Sequence, residues 1–181
     1  YALENASSKP SLRQLSQSVD LSEPTLRHYF KDRRGVIIAI LEYLNNRARP
    51  FWKTLSIPAN SVSDAVVEYF RLTDAGFRHM RYARAHVFGM TEGIGDPEVS
   101  KAYLKYIVEP TIQAAIDKLS GSDDAPTTPN ASRAAAMAMV APALFMIIHQ
   151  DMLGGDEVAA VDYDRFFLHL GKYLSEGIAA N

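Results

Sequence analysis

The chain has 181 residues, of which 48% are apolar and 22% are charged, a composition typical of a folded globular protein. It contains no cysteine, which excludes disulfides and thiolate metal sites. No apolar run is as long as a membrane-spanning helix requires, and no segment has the layout of a signal peptide. We therefore expect a cytoplasmic protein that has no membrane partner.

Charge is unevenly distributed, although the net charge is only −2. Residues 1–50 carry eight Lys or Arg against five Asp or Glu, whereas residues 51–181 carry eleven against sixteen. A basic N-terminal segment suits a phosphate-bearing partner such as nucleic acid, but an excess of this size is also common scatter.

Two short helices separated by a tight turn are predicted within the first thirty residues. Ser11 and Gln14 form a capping box that begins the first helix, and Ser22 caps the second. Asp20 lies in the turn, where it tolerates a left-handed conformation, and Leu21 is expected to fill the corner. The other positions expected to be buried are Leu12, Leu15, Val19, Leu26 and Phe30.

A third helix is predicted after Asp32, which can cap it, and prolines 50 and 58 mark a break beyond it. Its apolar stripe consists of Val36, Ile37, Ile40, Leu41 and Leu44.

Helical periodicity continues to the C-terminus, and no stretch alternates as a strand would, so the predicted fold class is all-α. Pro110 lies inside one predicted helix, where it should cause a kink. The helix over about 131–152 is apolar nearly all round, which predicts burial on more than one side. The predicted helices of this part cover about 63–80, 84–92, 97–119, 131–152 and 163–178.

The two short helices have the layout of a helix-turn-helix unit, whose second helix enters the major groove of DNA. The run Ser11-Leu-Arg-Gln-Leu-Ser, followed by Leu21-Ser-Glu-Pro-Thr-Leu-Arg-His-Tyr-Phe-Lys-Asp-Arg-Arg-Gly-Val-Ile, resembles the DNA-binding signature of TetR/AcrR-type transcriptional regulators. The resemblance implies an N-terminal helix-turn-helix DNA-binding domain over residues 1–47, with its first helix truncated to a last turn near residues 1–4. Residues 48–181 would then form a C-terminal helical ligand-binding and dimerisation domain.

The resemblance also implies roles for individual residues. Base edges or thymine methyls would be contacted by Glu23, Pro24, Arg27 and His28, and phosphates by Ser11, Thr25, Tyr29, Lys31 and Arg33. The alternatives are that Tyr29 packs in the core, that Thr25 only caps its helix, and that Lys31 is solvated surface.

The middle helices carry apolar stripes in which the resemblance implies an effector pocket, although such stripes are more often plain core. The candidate ligand-binding residues are Phe70, Thr73, Phe77, Met80, His86, Phe88, Met90, Tyr103, Ile107, Met137, Phe145 and His149. By the same resemblance, the chain would form a homodimer through its last two long helices. It would bind a palindromic double-stranded DNA operator as a repressor and be released by a small, largely apolar effector.

Two other classes of protein stay open as alternatives. The first is a helical protein–protein adaptor without DNA binding, and the less favoured second is a helical enzyme. The sequence has no glycine-rich phosphate loop, nucleophile elbow or zinc-protease motif. His79 and His86 are seven residues apart but lack an acidic third ligand, so no metal, cofactor or catalytic residue is expected.

Overall fold

The computed structural model describes residues 1–6, 8–79 and 82–179, with their side chains except those of residues 77–79 and 179. Every regular element in these residues is a helix, and no strand occurs among them, which confirms the predicted all-α class.

Two short helices, α1 (Leu12–Ser18) and α2 (Glu23–Phe30), follow the two serines that the sequence predicts as caps, Ser11 and Ser22. They are preceded by a single turn, in which the Asn5 N–H bonds to the carbonyl of Tyr1 at 3.0 Å.

Two of the positions expected to be buried around these helices are exposed instead. Val19 is 57% exposed and Leu21 is 45% exposed, so the prediction that they pack inside is wrong. Both lie in the turn between α1 and α2, where the chain leaves the core that Leu12, Leu15 and Leu26 enter.

The third helix, α3, spans Arg33–Leu55 and is capped by Asp32, whose Oδ1 accepts a hydrogen bond from the Gly35 N–H at 2.9 Å. Its predicted apolar stripe is confirmed, because Val36, Ile37 and Leu41 are buried and Ile40 and Leu44 are partly buried.

The predicted break at Pro50 is wrong, since the helix continues through this residue. Proline removes one backbone hydrogen bond, and burial of the terminal Leu55 favours the helix in spite of that loss.

The middle of the chain contains α4 (Val62–His79), α5 (Tyr82–Gly93), α6 (Pro97–Tyr103) and α7 (Glu109–Leu119). A π-helical turn, Leu104–Val108, joins α6 to α7, and in it the Glu109 N–H bonds to the carbonyl of Leu104. The predicted irregularity near Pro110 therefore takes the form of a widened turn just before the proline.

The C-terminal part contains α8 (Pro129–Ile147), a π-helical turn (Ile148–Met152), α9 (Gly155–Val158) and α10 (Tyr163–Ala179). Together, α8 and its π turn are long and apolar enough to cross a membrane, with a mean hydropathy of 1.7, which corrects the expectation that no run reaches that length. A core helix of a folded protein passes the same test. The further prediction that this helix is buried on more than one side is also wrong for the single chain, because its buried residues form one face and Met137 and Phe145, outside that face, are 48% and 65% exposed.

The chain forms two compact units, the first consisting of Tyr1–Arg49 with Arg84–Glu109 and the second of Pro50–Ala83 with Pro110–Asn181. The division into domains after residue 47 stays a prediction about function, but by packing residues 84–109 join the first unit. The core of the first unit consists of Ala6, Leu12, Leu15, Leu26, Val36, Ile37, Leu41, Phe88, Val99, Ala102 and Ile107. In the second unit, α4 packs against α8 and α10.

Candidate functional site

Hydrogen bonds at the starts of α1 and α2 fix the two helix ends that the sequence predicts. The Ser11 Oγ accepts from the Gln14 N–H at 3.2 Å, and the Gln14 Oε1 accepts from the Ser11 N–H at 2.8 Å, which confirms the capping box. The Ser22 Oγ accepts from the Thr25 N–H at 3.2 Å and shares a second hydrogen bond with the Thr25 hydroxyl at 2.8 Å. These bonds satisfy N–H groups that a helix start otherwise leaves without partners.

Two residues with positive φ direct the chain at the ends of α1 and α2. Asp20 has a φ of 59°, which confirms that it takes a left-handed conformation in the turn. Lys31 has a φ of 69° and ends α2, where its N–H bonds to the carbonyl of Arg27 at 2.9 Å.

The second helix places its predicted contact residues outside the core. Leu26 is buried and Phe30 is partly buried, so they define the inner face of α2. Tyr29 is 72% exposed, which decides against the alternative that it packs in the core. The remaining predicted residues of this segment are exposed or half-buried, namely Glu23, Pro24, Thr25, Arg27, His28 and Lys31.

Contacts among these exposed residues are weak. The Arg27 guanidinium lies 3.8 Å from the carboxylate of Glu23, one turn earlier, and both side chains are open to solvent. An exposed ion pair of this kind contributes little to stability, so Arg27 can leave it for another anion or a base edge. The rings of His28 and Tyr29 meet edge to face, with centroids 5.2 Å apart.

Arg33 differs from the other predicted contact residues because three of its five N–H donors bond to groups of the first unit. The Nε donates to the carbonyl of Pro10 at 2.7 Å, and the two terminal nitrogens donate to the carboxylate of Glu92 at 2.9 and 2.6 Å. The Glu92 side chain is only 2% exposed. This bidentate geometry is the strong form of an ion pair. We therefore assign Arg33 a structural role and leave it out of the set of contacts proposed below.

A second ion pair lies next to the first one. The Arg34 Nε donates to the Asp96 Oδ2 at 2.8 Å, and the hydrogen bond from Arg34 lowers the pKa of Asp96. The other oxygen of Asp96 caps α6 by accepting from the Glu98 and Val99 N–H groups. The sequence analysis missed Glu92 and Asp96, and Glu92 could have been noticed as the single acidic residue of α5.

Five of the predicted ligand-binding residues belong to the first unit, namely His86, Phe88, Met90, Tyr103 and Ile107. Phe88 and Ile107 are part of its hydrophobic core. The His86 Nδ1 lies 3.0 Å from the hydroxyl of Tyr103. Burial lowers the pKa of His86 to about 4 and raises the pKa of Tyr103 to about 12, so both are neutral at pH 7.

The second unit contains Phe70, Thr73, Met137, Phe145 and His149 of the predicted ligand set. Phe70 is buried and stacks on Phe167 with ring centroids 5.2 Å apart, whereas Met137 and Phe145 are exposed. The backbone of Phe77 lies in α4, but its side chain and the whole of Met80 lie outside the described residues. The predicted set is thus divided between two units and does not line one described cavity.

The second unit has a small internal cavity that the sequence analysis did not predict as such. Its volume is about 10 Å³, and it is lined by Phe51, Trp52, Leu55, Tyr69, Thr73 and Thr111. Of these, only Thr73 belongs to the predicted ligand-binding set. Larger open grooves, of about 530 and 430 Å³, follow α10 and the adjacent part of α8.

The two histidines considered as metal ligands lie on different helices, since α4 ends at His79 and α5 begins at Tyr82. They therefore do not share one helical face. Among the described residues, no group of three or more His, Asp or Glu side chains could hold a metal ion.

Comparison of the chain with protein-family models, with curated proteins and with solved structures found no match.

Proposed function

We propose that the chain is a DNA-binding transcriptional regulator of the TetR/AcrR type, and that α1, the turn and α2 form its helix-turn-helix unit. The observation that supports this most is the composition of α2, which buries Leu26 and leaves polar and basic side chains on its other faces. A helix that only served packing would have no need of Arg27, His28 and an exposed Tyr29 on adjacent positions. Such a helix suits the major groove, which presents hydrogen-bonding base edges.

The proposed contacts divide into two groups. Glu23, Pro24, Arg27 and His28 would contact base edges or thymine methyls, and Arg27 can bond guanine through two of its donors. Ser11, Thr25, Tyr29 and Lys31 would contact phosphates and fix the register of the helix.

We further propose a homodimer through α8 and α10. Exposed apolar residues recur at intervals of three or four along α8, and they are Ala134, Met137, Ala138, Ala141 and Phe145. On α10, Phe166, Leu170 and Tyr173 line one of the open apolar grooves. Pairing these surfaces would bury them and give the dimer two reading helices, which on a palindromic operator must lie about 34–36 Å apart.

A small, largely apolar effector would act by preferring a state of the dimer whose reading helices are wrongly spaced. Such a ligand shifts the population away from the operator, and the regulator then behaves as a repressor in the cytoplasm.

The test is binding of the purified chain to DNA from upstream of its own gene, compared with unrelated DNA, at about 50 and 200 mM salt. We expect binding that prefers the upstream DNA and weakens at the higher salt concentration. Arg27→Ala should lower the discrimination between the two DNAs by about 5- to 150-fold, since a bidentate base contact contributes roughly 1–3 kcal/mol. The matched control is Lys101→Ala, which also removes one positive charge and one exposed ion pair, from a 77% exposed side chain on α6. Equal discrimination by the two variants would contradict the role of Arg27.

A protein–protein adaptor is the second candidate function, and the exposed apolar residues of α8 favour it. Absence of DNA binding at both salt concentrations, together with a stable complex through α8, would support the adaptor and reject the regulator.

A further inference from the structure

The small cavity of the second unit lies among three helices. Phe51, Trp52 and Leu55 reach it from the end of α3, Tyr69 and Thr73 from α4, and Thr111 from α7. Its volume of about 10 Å³ is close to the minimum that accommodates one oxygen atom of a water or a ligand.

Polar atoms converge on this cavity without being satisfied. The Trp52 Nε1, the Tyr69 hydroxyl and the Thr73 Oγ1 are buried, and none of them makes a well-aligned hydrogen bond among the described residues. The Tyr69 and Thr73 hydroxyls lie close enough for Thr73 to act against the rise in the pKa of Tyr69 that burial causes. Tyr69 and Thr73 are 0% and 3% exposed, so solvent does not replace the missing partners. Because a buried polar group without a partner destabilises the fold, three of them around one cavity indicate a group that binds there.

The hydrogen-bonding capacity of these atoms specifies what that group is. The indole N–H of Trp52 can only donate, whereas the hydroxyls of Tyr69 and Thr73 can donate or accept. A single hydroxyl oxygen accepts two hydrogen bonds and donates one, and it can therefore satisfy all three atoms at once.

The other lining groups define the rest of the ligand. The cavity lining contains no charged side chain, and burying an unpaired charge there would be very unfavourable. The rings of Phe51, Trp52 and Tyr69 line the cavity. The Tyr82 ring packs against two of them, with its centroid 5.1 Å from Phe51 and 5.4 Å from Trp52. This aromatic lining suits an apolar ring or chain.

We propose that the cavity is the polar end of a binding site for a small uncharged alcohol, whose hydroxyl bonds to Trp52, Tyr69 and Thr73. The alcohol site itself does not depend on the proposed function. Only the further step, that this alcohol is the effector, rests on the chain being a regulator. Burial also raises the pKa of Tyr69, which keeps its hydroxyl protonated and able to donate. Trp52 is half-buried although its Nε1 is buried, so its ring extends from the cavity towards the surface. Movement of this ring would open the space that the apolar body of the ligand requires.

Cyclohexanol is a suitable probe, because methylcyclohexane has a similar shape without the oxygen and cyclohexanecarboxylate adds a charge. Trp52 is the single tryptophan of the chain, so its fluorescence reports directly on the cavity. With the full chain, we expect cyclohexanol to raise the melting temperature and to change the Trp52 emission, and we expect neither effect from the other two compounds.

Thr73→Val and Tyr69→Phe should each weaken cyclohexanol binding by about two- to tenfold, the effect of one neutral hydrogen bond. Thr127→Val is the matched control, since it makes the same change at an exposed loop position and should leave binding unchanged. Without ligand, Thr73→Val should not lower the melting temperature, because the hydroxyl that it removes makes no well-aligned hydrogen bond to the protein.

Equal responses to cyclohexanol and methylcyclohexane, or unchanged affinity in both cavity variants, would overturn the proposal. So would a lower melting temperature of ligand-free Thr73→Val, because it would show that the hydroxyl is already satisfied. DNA binding is measured separately on the same protein. If DNA binding is absent and cyclohexanol still binds, the regulator fails and the alcohol site stands, whereas the reverse result removes only the alcohol site.

Discussion

The ion pair between Arg33 and Glu92 buries its two partners unequally, and this inequality predicts unequal costs of removing them. The carboxylate of Glu92 is 2% exposed, whereas the side chain of Arg33 is 33% exposed. Replacing Arg33 with Met leaves a buried carboxylate without its counter-ion and also removes the hydrogen bond to the carbonyl of Pro10. Replacing Glu92 with Gln leaves a guanidinium that can turn towards water.

We expect Arg33→Met to lower the free energy of unfolding by about 3 kcal/mol, the lower end of the range for breaking a buried pair. Glu92→Gln should lower it by about 1.5 kcal/mol, because the amide retains one acceptor for Arg33. The double variant has no unpaired carboxylate, so its loss should be smaller than the two single losses together by about 2 kcal/mol.

Urea unfolding followed by circular dichroism gives these free energies by linear extrapolation. Arg34→Met is the matched control, since the pair that it breaks is more exposed, at 50% and 27%, and its loss should be clearly smaller than that of Arg33→Met. Additive losses, or a greater loss in Glu92→Gln than in Arg33→Met, would refute the reasoning. The same variants test the assignment of Arg33, because a phosphate contact would reduce the salt dependence of DNA binding in Arg33→Met by about one counter-ion. The structure predicts no such change.

Three further predictions test separate features of the molecule. His86 has a pKa of about 4 when folded and about 6.5 when unfolded, so stability should be constant above pH 6.5 and fall by about 3 kcal/mol as the pH decreases to 4. In urea unfolding across this range, His86→Asn should lack that loss, and parallel curves for the two proteins would be inconsistent with a neutral buried histidine. Asp20→Gly should raise the free energy of unfolding by about 0.5 kcal/mol and Asp20→Val should lower it by about 1 kcal/mol, because only glycine adopts positive φ without strain; equal stabilities would argue against the left-handed turn. Phe145→Ser should weaken self-association more than tenfold in sedimentation equilibrium, as expected for a central interface aromatic, whereas Tyr43→Ser, at a similarly exposed position on α3, should not. A dimer that tolerates Phe145→Ser would lie on another surface.

Local signals explain why the helix starts were predicted well. Ser11, Ser22 and Asp32 each precede a helix and accept hydrogen bonds from N–H groups within three residues. A cap acts over one turn of chain, so the residues needed to recognise it are adjacent in the sequence. The positive φ of Asp20 was predictable for the same reason, because only a few residue types adopt it.

Interactions over long separations could not be predicted in this way. Glu92 pairs with Arg33 across 59 positions in the sequence. The residues near Arg33 do not indicate whether its guanidinium binds a carboxylate of the same chain or a phosphate of DNA. The cavity depends likewise on α3, α4 and α7 meeting at one place, so the sequence around Trp52 and Tyr69 gives no sign that both residues line the same cavity.

The apolar residues on α8 also show what the sequence alone does not predict, namely which of them are buried within the chain. Met139 and Phe145 are both large and apolar and lie on one helix, yet Met139 is 0% exposed and Phe145 is 65% exposed. Hydrophobic periodicity indicates that one face of a helix is buried, but it does not indicate whether that face packs against its own chain or against a second chain. Because α8 is apolar around most of its circumference, the sequence predicted burial on more than one side, without indicating which residues meet their own chain. The exposed residues are better explained if a second copy covers them, since a folded chain gains nothing from leaving Phe145 in water while Met139 already fills the core. If the proposed dimer forms, the apolar composition of α8 serves both folding and association. Substitutions at Met139 and Phe145 should then separate the two, the first lowering the stability of the folded chain and the second that of the dimer.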